Sequence, residues 1–229
     1  MLFYFSLGIL ILALGAQLWL RFFVNDRSGL TRITTRINAD IIKHISQFAF
    51  RFSIFAIFLL LFYQSYKQYQ FWSQNEVSRY LLPPHQSINY FIFYALARFF
   101  APYLISLAAA VLFLISANLL NKKYQERFFY PEEPYFGALA IFLVSHPGWI
   151  FYVTAVILIY LLIHLFTLIY YKLRSLTIER SNAIERSNRL EQKPVRVSLR
   201  YVWLPTAIFV IIIINYWLQT LSWWNLLRI

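Results

Sequence analysis

The chain contains no cysteine, which excludes disulfides, thiolate catalysis and cysteine-ligated metal. Acid is scarce, with 9 Asp and Glu against 21 Lys and Arg and a net charge of +12. Charged residues make up 13%, about half the share usual in a soluble domain. There are only 5 glycines, and none builds a Gly-rich phosphate loop. His-Glu-x-x-His and Gly-x-Ser-x-Gly are also missing, so ATPase, zinc-protease and serine-hydrolase chemistry has no support.

Apolar and aromatic residues fill the space. Across 229 residues 60% are hydrophobic and 21% aromatic, with 23 Phe, 17 Tyr and 7 Trp. The mean hydropathy is +0.57, carried by long apolar runs. This composition excludes a disordered chain and an ordinary soluble enzyme, and it predicts an integral membrane protein. The basic residues lie between apolar spans rather than on a separate domain. They are therefore expected beside anionic lipid, not on nucleic acid.

The first span runs over 2–23. It has no basic segment before it and exceeds the length of a signal-peptide core, so it reads as an uncleaved helix with its N-terminus outward. Residues 24–46 are polar and basic. Ile33, Ile37, Ile41 and Ile42 recur there at helical spacing, an amphipathic lead into a second span at 48–66. Residues 67–88 read as a loop, broken by Pro83-Pro84. The stretch 89–120 is too long for one simple crossing. Arg98 and Pro102 divide it into an interfacial or tilted aromatic segment at 89–100 and a third span at 101–120. A short charged loop occupies 121–133. The apolar run that follows is interrupted by Ser145-His146-Pro147-Gly148-Trp149, a turn signal that separates 135–146 from 149–171. The loop 172–200 is basic and carries a tandem Ile-Glu-Arg-Ser-Asn-x hexapeptide in two copies, too few for a repeat architecture. The last span is 201–218, followed by Trp223-Trp224 as interfacial anchors.

Charge decides the topology. Loop 24–46 with flanking Arg21 and Arg51 holds six Lys and Arg, 67–88 two, 121–133 three and 172–200 eight. All three richer loops fall on one face only if 135–171 crosses twice. The expectation is a single all-α domain over 1–229. It is a polytopic bundle of about six transmembrane helices with both termini outside. The fourth helix is short, about 12 residues against the ~20 of a full span, and must be shielded by its neighbours or stand beside a thinned, water-accessible region.

The order of elements from Asn118 to Asn215 resembles the membrane core of type IV prepilin peptidases. The carrying residues are Asn121-Lys122-Lys123-Tyr124, then Glu132-Glu133-Pro134 and Phe136-Gly137-Ala138. Pro147-Gly148-Trp149, the basic loop and Val202-Trp203-Leu204-Pro205 follow, with an echo at Asp26 after the first span. The resemblance implies an intramembrane aspartyl protease in which Asp26 and Glu133 activate water. The sequence departs from that pattern in having no Gly-x-Gly-Asp and no Ile-Pro-Asn after Asp26. Two carboxylates of such an enzyme must sit close enough to share a proton. Glu132-Glu133 also suits a simpler role at a helix N-terminus, ahead of Pro134.

Two further ionisable residues interrupt apolar sequence, Arg98 and His164. Snorkelling accounts for Arg98, and a hydrogen bond to a neighbouring helix for His164. His146 and His164 stand about 27 Å apart on a helix, so they cannot share a metal. No metal or other cofactor is expected. The first functional expectation is a non-catalytic scaffold or assembly subunit, its partners membrane lipids and other membrane subunits. The alternatives are the prepilin-peptidase-like protease and a lipid-handling protein or transporter using Arg98 and His164. The charge bias favours a bacterial cytoplasmic membrane, with an organellar inner membrane as the alternative.

Overall fold

The computed structural model describes residues 2–25, 32–124, 129–179, 202–217 and 220. Among them the chain is all-α. Its helices are α1 (Leu2–Asn25), α2 (Arg32–Gln74), α3 (Ile88–Ala95), α4 (Ala101–Lys123), α5 (Glu133–Val144), α6 (Gly148–Glu179) and α7 (Trp203–Tyr216). Four apolar stretches are long enough to cross a membrane: Leu2–Trp19, Ile42–Gln74, Ile88–Lys123 and Gly148–Tyr170. The chain is thus an integral membrane protein by the length and composition of its helices. The large exposed side chains along them, such as Leu12, Phe55, Phe62, Leu112 and Phe166, suit a lipid solvent.

Two elements differ from the sequence-based expectation. Residues 67–74, expected as loop, continue α2. Nothing from Lys67 to Gln74 breaks a helix, and aromatic packing against α3 holds the extension. Tyr69 meets Phe91 at 5.3 Å between ring centroids, and Trp72 meets Phe91 at 5.4 Å and Tyr94 at 4.7 Å. Asn75 then ends the run, its side-chain oxygen accepting from the N–H groups of Val77 and Ser78. The second difference lies at Arg98 and Pro102. No break separates an interfacial segment from a span. Instead a single widened π turn over Leu96–Phe100 joins α3 to α4. Proline has no N–H for the carbonyl four residues back and its ring crowds that carbonyl. A wider turn before Pro102 accommodates both effects.

The short helix α5 is the centre of the bundle. It has 12 residues, and all but Tyr135 are buried. Helices α1, α2, α4, α6 and α7 all pack against it. A helix apolar on every side is stable only when enclosed in this way. Between apolar lipid and apolar side chains there is little hydrophobic driving force, so close packing must hold the helices together. Gly137 shows how. A Cβ at that position would lie 2.5 Å from Cε1 of Phe113 and 3.2 Å from Cε3 of Trp203. The missing side chain lets α4 and α7 close on α5, with the Phe113 and Trp203 rings 5.4 Å apart.

Candidate functional site

Helix α5 is about 18 Å long at 1.5 Å per residue, against a hydrocarbon core of about 30 Å. The non-helical backbone at its ends must therefore be satisfied by protein. At its N-terminal end, Asn121 of α4 grips the incoming chain twice. Its amide donates to the Phe129 carbonyl at 2.9 Å, and its oxygen accepts from the Phe129 N–H at 2.9 Å. Glu133 completes the stitch. Its Oε2 accepts from the Tyr130 N–H at 3.2 Å, while its own N–H donates to the Tyr130 carbonyl at 3.0 Å. Glu132 and Glu133 are both only 1% exposed. Acidic side chains here face the positive end of the α5 dipole.

Glu133 thus has the helix-terminus geometry that its place before Pro134 implied. Asp26, its expected catalytic companion, lies outside the described residues. Among the described residues no three His, Asp or Glu side chains are grouped to hold a metal ion.

The C-terminal end of α5 opens on a cavity of about 350 Å³. Polar residues gather on it from four helices and two turns: Ser6 of α1, Gln64 of α2, Tyr103 of α4, Asn215 of α7, Ser145 and His146 after α5, and Arg98 from the π turn. Among the described residues its lining includes no Asp or Glu. The turn beside it is held firmly. The His146 N–H donates to the Pro102 carbonyl at 3.2 Å, and the Trp149 N–H to the Ser145 carbonyl at 2.9 Å. Ser145 has φ 60° and ψ 171°, a region glycine occupies and L side chains avoid.

Two polar atoms in this lining are buried without a hydrogen-bond partner, Oγ of Ser6 and Nδ1 of His146. Ser6 is 1% exposed. The Tyr103 hydroxyl is directed at the Ser6 and Ser145 hydroxyls, but at Ser6 the approach falls short of hydrogen-bonding geometry. Buried polar atoms are rarely left unpaired, and the exceptions call for an explanation such as a ligand.

Of the sequence-predicted residues, Arg98 reaches this cavity and His164 does not. His164 lies 16 residues into α6, about 24 Å from the cavity end of that helix. It is exposed, stacked on Tyr160 at 6.3 Å. Ser6, Gln64 and His146 were not expected as site residues. The signal that marks them is a polar residue inside an apolar run; His146 was read as part of a turn and set aside as a metal ligand. Comparison with protein-family models, with characterised proteins and with solved structures finds no match.

Proposed function

We propose that this chain is a lipid-handling membrane protein. In this reading it crosses the bilayer six times and takes the polar head of a membrane-soluble molecule into the cavity at the end of α5. The supporting observation is the convergence of Arg98, Ser6 and His146 on one space of about 350 Å³, with two unpaired polar atoms in its wall. That volume is at the small end of ligand pockets, which run from about 300 to 1,000 Å³. It suits a head or a small molecule rather than a whole lipid.

The level of the cavity supports a lipid. It gathers the start of α1, the start of α4, the end of α5 and the end of α7. Along α4, Pro102 at the cavity and Asn121 at the opposite end are about 28 Å apart. That is comparable to the thickness of the hydrocarbon core and supports a cavity lying toward one headgroup layer. Phe99, Leu143, Ile211 and Ile214 supply apolar wall beside the polar groups.

The test is native mass spectrometry of protein purified in mild detergent. A one-to-one adduct extractable into organic solvent is expected. It should be lost in Asn215→Trp, which fills the cavity from its half-buried rim. A wild-type protein that carries no adduct and accepts no added lipid refutes the proposal.

An assembly-subunit reading is favoured by one observation on α1. A Cβ at Gly8 or Gly15 would meet nothing within 4 Å, and small residues on an outward helix face admit a second membrane helix closely. Stoichiometric co-purification of a second membrane protein, lost in Gly8→Leu with Gly15→Leu, would support it.

A further inference from the structure

We infer that the cavity selects an anionic, phosphate-bearing head and discriminates against zwitterionic ones. This rests on the proposed reading of the cavity as a ligand site. Arg98 supplies a guanidinium, a planar fork of donors suited to phosphate oxygens. The other polar groups are the amides of Gln64 and Asn215, the hydroxyls of Ser6, Tyr103 and Ser145, and the imidazole of His146. Every one of these can donate a hydrogen bond to an oxyanion. With no Asp or Glu among the described lining residues, a choline or ethanolamine cation would find no counter-charge. A head of phosphate with neutral substituents satisfies the wall; a zwitterion leaves its cationic end unpaired.

The unpaired atoms point the same way. Oγ of Ser6, 1% exposed, and Nδ1 of His146 lie in the wall that Arg98 shares. Both atoms are sealed from solvent, so an anion held by the guanidinium would accept from them only once their side chains turn into the cavity. The His146 main-chain N–H is already committed to Pro102, which fixes the backbone from which the ring projects. Hydrogen bonds in which one partner is ionised are about twice as strong as neutral ones.

The same chemistry could come from a lipid or from soluble phosphate, and competition separates them. Detergent-solubilised protein is titrated with phosphatidylglycerol, phosphatidylcholine and inorganic phosphate, read by native mass spectrometry and by the thermal midpoint. The net charge of +12 attracts anionic lipid to the basic loops as well. The decisive quantity is therefore the difference between wild type and Arg98→Gln. Phosphatidylglycerol is expected to bind one-to-one with a preference of about tenfold or more over phosphatidylcholine, tenfold being ~1.4 kcal/mol. Arg98→Gln should remove most of that preference and Arg98→Lys retain part of it. Arg98 is exposed at the cavity rim, so both variants should fold, which an unchanged lipid-free midpoint verifies.

Displacement of the lipid by inorganic phosphate would keep the anion selectivity and make the natural ligand water-soluble. Equal binding of the two lipids, blocked by Asn215→Trp, would overturn the selectivity and leave the ligand site standing. Binding that ignores both Arg98→Gln and Asn215→Trp overturns both.

Discussion

The main-chain N–H of His146 donates to the carbonyl of Pro102 across 44 residues of sequence, at 3.2 Å. The bond ties the turn after α5 to the start of α4. It fixes His146 beside Arg98 and the widened turn that Pro102 requires. The geometry of the cavity thus follows from the one proline in α4.

Ser145 sits in this turn with φ 60°. Strain of this kind costs on the order of 1–3 kcal/mol in a non-glycine residue. Ser145→Gly should therefore raise the thermal midpoint in detergent, and Ser145→Val should lower it. A Ser145→Gly variant less stable than wild type would mean that the hydroxyl, directed at Tyr103, outweighs the strain.

At Gly137 the prediction has the opposite sign. Gly137→Ala places its methyl carbon 2.5 Å from the Phe113 ring, and overpacking of this kind costs about 1–3 kcal/mol. The midpoint should fall. Pairing it with Phe113→Leu should cost less than the two changes summed, because contacting residues are coupled. Additive losses would show that the ring escapes without strain.

Asn121 supplies both halves of the clamp on Phe129. Asn121→Leu removes both partners of the part-buried Phe129 N–H and carbonyl, each bond worth roughly 0.5–1.5 kcal/mol. Asn121→Asp keeps the acceptor and loses the donor, so it should be intermediate. Denaturation in mixed micelles reads the order of the three proteins.

Glu133 tests the protease expectation directly. Glu133→Gln preserves an acceptor for the Tyr130 N–H and should fold like wild type. Glu133→Ala loses a helix-terminus bond, typically ~1 kcal/mol. Neither change should alter the handling of a co-expressed prepilin. Cleavage by the wild type that disappears in Glu133→Gln would restore a catalytic role for this carboxylate.

Topology is read by reporter fusions at residues 80, 128, 147 and 185. The cavity gathers opposite ends of successive helices, so 80 and 147 should report outside, with 128 and 185 inside. A cytoplasmic signal at 147 would remove the double crossing of α5 and α6.

The helices themselves were legible because hydropathy measures what lipid demands. The short α5 was visible at 135–146 from the turn at Pro147-Gly148, and it occupies Glu133–Val144. Its complete enclosure was expected only as one of two ways a short helix could survive. The outer end of α2 was not legible, because Gln68, Gln70 and Ser73 look like loop residues until Trp72 packs on Phe91 and Tyr94. In the site, Arg98 stood out as a charge in an apolar run. Its neighbours did not, since Ser6 and Gln64 are uncharged and come from helices distant in sequence. His164 stood out equally and lies elsewhere. A conspicuous residue within a span gives no sign of which way its helix faces.

The enclosure of α5 also constrains how the protein is made. Twelve residues are too few to be retained in a bilayer alone, where about 17–25 are needed. If α5 and α6 cross as a hairpin turning at His146-Pro147, the two must enter the bilayer together. Five surrounding helices then have to close around it, so assembly can finish only when α7, the last of them to be synthesised, docks.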